Sequence, residues 1–256
     1  MAKQEKIKLT AIIKTKNSED FLCETLEALK NLDEIIILDE HSTDDTIEIA
    51  KEYKAHLIYV DMTDPKSSIN QAFEEISNTW VIVLEQDEIL PLKLLKEIEN
   101  YTLNPKKNKY CVNLPIKTFY LKKEIKSFYK KQNLRLFRKD CAVLCPDFSV
   151  KPLKGKVFSF RKSGKNEDNI LKFFENNVEK YVSEIFEKNR LYLKTNKPKN
   201  RSYFVEPMME FVKYYVFKKG FLDGKRGFIF AKMKFFEKFL QSVMALEKEC
   251  SSDRFV

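Results

Sequence analysis

An α/β fold, built on a mostly parallel sheet with flanking helices, is what this 256-residue chain predicts. Three observations point to it. Four short runs dense in branched aliphatic residues recur through the first hundred residues. Single amphipathic stretches separate them. The alternation then stops, and the chain beyond residue 101 becomes lysine-rich and aromatic. Continuous apolar strands suit a parallel sheet covered on both faces, with a helix in each crossover.

Leu9–Lys14 is the first apolar run and ends at Thr15-Lys16-Asn17. Ser18 is placed to cap a helix whose Leu22, Leu26 and Leu29 form one stripe at i, i+4, i+7. Glu34–Asp39 (EIIILD) is the second strand, and Ser42 or Thr43 is the expected cap of a helix reaching Tyr53. His56–Val60 reads as the third strand, followed by a helix around Ile69–Ile76. Trp80–Leu84 (WVIVL) is the fourth, and Pro91 suits the first turn of the next helix. Farther on, Tyr110–Ile116, Asn133–Phe137 and Val157–Phe160 read as strands. Asn166–Asn189 has near-helical apolar spacing, Lys194–Arg201 is a polar linker, and residues 204–248 read as a helical pair broken near Gly220–Gly227. The expected division is 1–162, with halves 1–100 and 101–162, followed by a helical region 163–256.

Composition narrows the function. Residues 1–100 carry 11 Lys and no Arg against 22 Asp or Glu, a net of −11, whereas residues 101–256 carry a net of +20. All five glycines lie at or beyond Gly155, which removes the Walker loop and the dinucleotide fingerprint, since both need glycines after an early strand. Five cysteines without CxxC spacing and only two histidines argue against a zinc cage and for free thiols in a reducing compartment. No leader is visible, and no apolar run approaches the ~18 residues of a membrane span.

Ligands of open parallel sheets bind outside the carboxyl ends of the strands. Those ends are Thr15-Lys16-Asn17, Asp39, Asp61 and Glu85-Gln86-Asp87-Glu88, so one rim collects several carboxylates. Glu85 and Asp87 are two apart and face the same way while strand geometry persists. Two hard oxygen ligands suit Mg²⁺ or Mn²⁺ bridging a diphosphate, and Asp39 is placed to accept hydrogen bonds from a base or ribose. Read blandly, the same acids are a solvated strand end.

The runs TAIIKTKN, DEIIILDEHSTDDTIEIAKEY and NTWVIVLEQDEILP resemble the nucleotide-sugar half of a family 2 glycosyltransferase. NLRLFRK and KKGFLDGKRGF resemble the bacterial subfamily that adds a sugar to the lipopolysaccharide inner core, a β-1,4-glucosyltransferase. The resemblance implies a Rossmann-like GT-A fold with a C-terminal helical extension, a nucleotide-diphosphate sugar as donor, a lipid-linked glycan as acceptor, and a divalent Mg or Mn ion. It places Thr15, Asn17, Asp39, Ser42, Asp44 and Asn70 at the nucleotide, matches Ser42, Thr43 and Asp44 to the STD turn, and places Asp87, helped by Glu85, at the metal. The chain also departs from the pattern. His41 stands where the family has Gly, Glu85 replaces the first Asp of the DxD motif, and Ile69 replaces an Arg. Val150-Lys151-Pro152 replaces the V-H-E motif whose Glu is the natural base, leaving Asp147 as the nearest acid and the candidate catalytic residue.

From Met208 to Leu240 there are eight Lys or Arg, three acids and ten Phe or Tyr. Cations beside an aromatic face describe an interfacial helix on an anionic membrane surface, here 204–248. At ~1 kcal/mol per cation, the net +5 would contribute at most about 5 kcal/mol. The plain reading is an amphipathic helix packed on its own domain. Together with the resemblance, these features imply a cytoplasmic chain, peripheral on the inner face of a bacterial cytoplasmic membrane. Two other classes remain open. One is a transferase-like protein that binds without turnover, suggested by Lys151-Pro152 and His41. The other is a basic nucleic-acid binder, which the missing zinc-finger, RRM and helix-turn-helix patterns disfavour, so no nucleic acid is expected. The sequence leaves the oligomeric state open.

Overall fold

A computed structural model describes residues 6–60, 64–125, 134–146, 148–160, 165–173, 181–183, 185–186, 189–190, 193 and 204–252. The chain divides into two compact units, Met1–Lys117 with Lys130–Lys172, and Thr118–Tyr129 with Phe173–Val256. The break after Lys172 lies beyond the expected boundary at 162, because the strand ending near it pairs inside the first unit.

The elements run β1 (Ile7–Thr15), α1 (Glu19–Leu29), β2 (Leu32–Asp39), α2 (Thr46–Glu52), β3 (His56–Tyr59), α3 (Pro65–Glu75), β4 (Trp80–Glu85), β5 (Glu88–Ile89) and α4 (Leu92–Leu103). Short strands follow: β6 (Cys111–Asn113), β7 (Ile116–Tyr120), β8 (Lys123–Glu124), β9 (Leu134–Arg138), β10 (Ala142–Leu144), β11 (Val150–Pro152), β12 (Val157–Ser159) and β13 (Ile170–Phe173). The last two helices of regular α geometry among the described residues are α5 (Val205–Val212) and α6 (Gly224–Ser252).

In the first unit, seven strands form one sheet in the order β12-β6-β9-β4-β1-β2-β3. β1 is parallel to β2 and β4, and β2 to β3, while β9 runs antiparallel to β4 and β6. This is the α/β, GT-A arrangement implied by the sequence. The apolar runs are continuous because both faces are covered. Leu9, Ala11 and Ile13 face Leu22, Leu26 and Leu29 of α1 and Leu94, Leu95 and Ile98 of α4. The intervening Ile12, with Ile36 and Leu38 of β2, faces Ile69 and Ala72 of α3. From β1 the chain proceeds outward through β2 and β3, then returns to place β4 on the other side of β1. The sheet therefore has a topological switch point between β1 and β4, the usual position of a ligand crevice.

Several local expectations change. α2 starts at Thr46 with Asp45 as its cap residue, because the Ser42 hydroxyl is committed to Asp39 and Thr43 to Asn17. Pro91 caps α4 with extended backbone instead of lying in its first turn. The helix expected over 166–189 begins instead as a 3₁₀ turn, Asn166–Asp168, followed by β13, whose Leu171 and Lys172 pair antiparallel with Ile89 and Glu88 of β5. Residues 181–183 and several beyond them are helical.

In the second unit, Tyr120, Ile125 and Phe230 form a buried cluster with Tyr214 and Met233 against it. α5 continues into a π-helical turn, Lys213–Phe217, then a 3₁₀ turn, Gly220–Asp223, before α6. The GFLDG-x-x-GF segment is thus the corner of this helical pair. A Cβ on Gly227 would lie 2.0 Å from the Gly220 carbonyl oxygen, so only glycine permits that approach. Gly224 has φ +60°, a conformation L side chains disfavour.

Candidate functional site

The carboxyl ends of β1 and β2 are joined by side chains. Asp39 is fully buried. It accepts hydrogen bonds from Thr15 Oγ1 at 2.8 Å, from the Ser42 amide at 2.8 Å and from Ser42 Oγ at 2.5 Å. Asn17 receives the Thr43 amide on Oδ1 at 2.9 Å and donates its own amide to Ser42 Oγ at 2.9 Å. Asp44 accepts from Thr46 Oγ1 and from the Glu19 amide, while Glu19 accepts from the Asp45 amide. Desolvation pushes the Asp44 carboxyl up, but these hydrogen bonds outweigh it and hold the group below its ordinary value. Five of the expected nucleotide residues, Thr15, Asn17, Asp39, Ser42 and Asp44, therefore form one clasp across two loops.

Two non-glycine residues of this clasp adopt left-handed backbone, Asn17 at φ 47° and His41 at φ 55°. His41 thus keeps the positive φ of the turn, at a cost of about 1 kcal/mol. Its ring stacks on Tyr59, with centroids 5.5 Å apart, which offsets part of that cost.

The Glu85–Glu88 turn lies beside the clasp at the switch point, since Glu85 is opposite Lys14 of β1. Gln86 fixes it there, accepting from the Lys16 amide at 3.0 Å and from the Ser18 hydroxyl, while its carbonyl accepts from Thr25 at 2.9 Å. Glu85 and Asp87 do converge, as their spacing predicts, but on a cation supplied by the chain. Lys172 of β13 donates to Glu85 Oε2 and, at 2.9 Å, to Asp87 Oδ1. Arg135 of β9 donates to Glu85 Oε1 at 2.9 Å and to Glu88 Oε1 at 2.7 Å. Glu88, fully buried, also accepts the Glu85 amide at 3.0 Å. Desolvation at Glu85 is outweighed by Lys172 and Arg135, which hold its carboxyl well below the usual carboxylate range. At Asp87 and Glu88 burial prevails and raises both.

Between Glu85 and Asp87, where a divalent ion would bridge the pair, the Lys172 ammonium is already bound to an oxygen of each. Among the described residues no group of three or more Asp, Glu, His or Cys side chains is arranged to hold a metal. As arranged, Glu85 and Asp87 do not fit the ion implied by the sequence.

Asn70, the sixth nucleotide residue expected, is exposed on α3. It lines a cleft of about 360 Å³ with Phe73, Glu74, Lys139 and Leu144, none of which belongs to the clasp or the acidic turn. Asp147, the candidate base, and Asp61 lie outside the described residues. Sequence reasoning placed Gln86 and Glu88 at the rim without a role for either, and missed Lys172 and Arg135 as members of the site. A basic residue alternating with apolar ones, as in LRLF and ILKF, was the available signal for the two cations.

A profile of glycosyl transferase family 2 matches residues 10–150, more than half of the chain. An uncharacterized glycosyltransferase of Rickettsia typhi is 33% identical over 104 residues, 40% of this chain and 36% of the relative. A TPR repeat-containing protein of Synechococcus elongatus is 34% identical over 92 residues, 35% of this chain and 23% of its own length. The chain thus matches little more than a third of the length of the Rickettsia relative. Among solved structures, glucosyl-3-phosphoglycerate synthase from Mycobacterium tuberculosis in complex with phosphoglyceric acid is 16% identical with a TM-score of 0.39, covering 52% of this chain and 57% of that one. The same enzyme with Mn²⁺, UDP and glucosyl-3-phosphoglycerate gives 21% and 0.34, covering 44% and 43%. The sheet order, the clasp at the carboxyl ends of its first two strands and the profile match agree: this chain belongs to glycosyl transferase family 2.

Proposed function

We propose that this chain transfers a hexose from a UDP-sugar to a lipid-linked glycan of the lipopolysaccharide-core type, at the inner face of a bacterial cytoplasmic membrane. The observation that carries this reading is the clasp of Thr15, Asn17, Asp39, Ser42 and Asp44 at the switch point of a family 2 sheet. In this reading the nucleotide lies over the clasp, and its diphosphate points toward the Glu85–Glu88 turn. The acceptor hydroxyl oxygen bonds to the anomeric carbon as the bond from that carbon to the diphosphate oxygen breaks. UDP leaves with the electron pair, the configuration inverts, and the hydroxyl proton passes to a carboxylate, for which Asp147 is the candidate.

The acceptor side of the proposal rests on the second unit. Its apolar residues fall into two sets. Phe230 is buried and Phe211 stacks on Tyr215, whereas Phe217 is 79% exposed, Leu222 65% and Met209 64%. Lys218, Lys219 and Lys225 stand among this exposed apolar set in the sequence. Such a surface suits an anionic bilayer. Among the described residues no helix is long and apolar enough to cross a membrane.

A second reading is favoured by one position. Pro152, which stands where the resembling subfamily has its Glu base, is exposed at the end of the β10–β11 hairpin. A protein that binds the donor without transferring it fits that replacement. UDP release from UDP-hexose in the presence of a lipid-linked core acceptor separates the two. Turnover that falls by ~10²–10⁴ in Asp147→Asn supports the transferase with that base. UDP binding without release on any core acceptor supports the second reading.

A further inference from the structure

The acidic turn and the two cations that meet it form one charged cluster within the first unit. Five carboxylate oxygens, both of Glu85, both of Glu88 and Oδ1 of Asp87, already accept hydrogen bonds. Lys172 is not a loose surface lysine swung in by chance. β13 pairs with β5 in a register that sets Lys172 opposite Glu88, so the strand pairing delivers the ammonium to this turn. Its side chain is only 13% exposed, and its Nζ is 2.9 Å from Asp87 Oδ1 and 3.9 Å from Glu88 Oε1. Arg135 closes the other side, bridging Glu85 and Glu88. The three acids and two bases leave one formal negative charge. A divalent ion added between Glu85 and Asp87 would meet the ammonium at the same oxygens and be repelled by it. Mg²⁺ also demands near-octahedral oxygen ligands, which carboxylates held by Lys and Arg do not offer.

We infer that Lys172 takes the place of the divalent cation in this chain, so that its nucleotide ligand binds without Mg²⁺ or Mn²⁺. The clause on the nucleotide rests on the donor reading above; the clause on the cation does not. Lys172 then offsets part of the negative charge of the acidic turn that a diphosphate would otherwise face, and Glu85 and Asp87 act as positioning residues that hold its ammonium.

Two arms test this on the full chain. In the first, Mn²⁺ alone is titrated and followed by electron paramagnetic resonance. Wild type is expected to show no stoichiometric Mn²⁺ binding in the millimolar range. Lys172→Met frees the acidic pair and is expected to gain one Mn²⁺, lost again in Lys172→Met with Asp87→Asn. One Mn²⁺ bound by wild type and abolished by Asp87→Asn alone overturns the inference, and this comparison stands even where Lys172→Met fails to fold. In the second arm, UDP is titrated by calorimetry in EDTA and in Mn²⁺. The two dissociation constants are expected to agree within about twofold. UDP binding seen only with Mn²⁺ overturns the inference while leaving the donor reading intact. UDP binding in neither condition contradicts the donor reading and the nucleotide clause with it, and the Mn²⁺ arm then decides on Lys172 by itself.

Discussion

Thr15 and Asp39 occupy paired positions at the ends of β1 and β2, and the Thr15 hydroxyl donates to the buried Asp39 carboxylate at 2.8 Å. This bond links the first two strand ends before either loop begins. It makes Asp39 a structural anchor as well as a candidate ligand of the nucleotide.

Asp39→Ala removes three hydrogen bonds to a buried charge and leaves the Thr15 hydroxyl and the Ser42 amide without it. The expected loss of stability is about 2–4 kcal/mol, read by urea denaturation. A midpoint unchanged from wild type would show that the clasp contributes nothing to folding.

The two glycines of the corner between α5 and α6 differ in kind. Gly227→Ala drives a methyl group into the Gly220 carbonyl, and the packed backbone must shift, at ~2–3 kcal/mol or more. Gly224→Ala meets no atom within 4 Å and costs only the strain of φ +60°, roughly 1–2 kcal/mol. Thermal melts of the two variants are expected to rank Gly227→Ala as the more damaging; the reverse order would contradict the close approach.

Cysteine reactivity has a predictable pH dependence. Burial pushes the Cys111 thiol up to about 11, and burial also raises Cys141. At pH 8 only ~0.1% of Cys111 is then thiolate, so it stays unlabelled in the native state, and its rate climbs as the pH approaches 11. Cys23 and Cys250 are exposed and label first. Mass spectrometry after a short pulse of a thiol reagent reads this directly. Rapid native labelling at Cys111 would contradict its burial.

Membrane association is tested by sedimentation with liposomes containing phosphatidylglycerol. Wild type is expected to pellet with them at low salt, and Phe217→Ser with Leu222→Ser to lower the partition coefficient by about 10²-fold or more, at ~1.5–3 kcal/mol per apolar side chain withdrawn. Equal recovery of the variant in the pellet would remove those two residues from the interface.

The first hundred residues were legible because their signals are local. The runs of β1 and β4 are buried on both faces, and acids mark the strand ends, so the strands and the rim followed from periodicity, whereas the order of the strands in the sheet did not. The part between residues 166 and 173 was not. Ile170, Phe173 and Phe174 satisfy helical spacing, while ILKF also alternates as a strand, and only pairing with the distant Glu88 and Ile89 decides between them. That same error concealed Lys172, whose role depends on β13 being a strand. Glu85 and Asp87 were placed correctly by their spacing of two, yet their partners come from β9 and β13, and a window on the sequence around them contains neither. The exposed and packed halves of the aromatic tail were equally hidden, since the corner at Gly220–Gly227 shifts the helical phase between α5 and α6.

In the proposed reading the rim over Asp39 binds a nucleoside diphosphate. Calorimetric titration of UDP into wild type and into Asn17→Ala addresses it most directly, because Asn17 sits at the clasp with its Oδ1 held by the Thr43 amide. Saturable one-to-one binding to wild type is expected, with at least about tenfold weaker binding to a folded Asn17→Ala. Saturable binding that is identical in the two proteins, or no heat from UDP with a folded wild type, would contradict it.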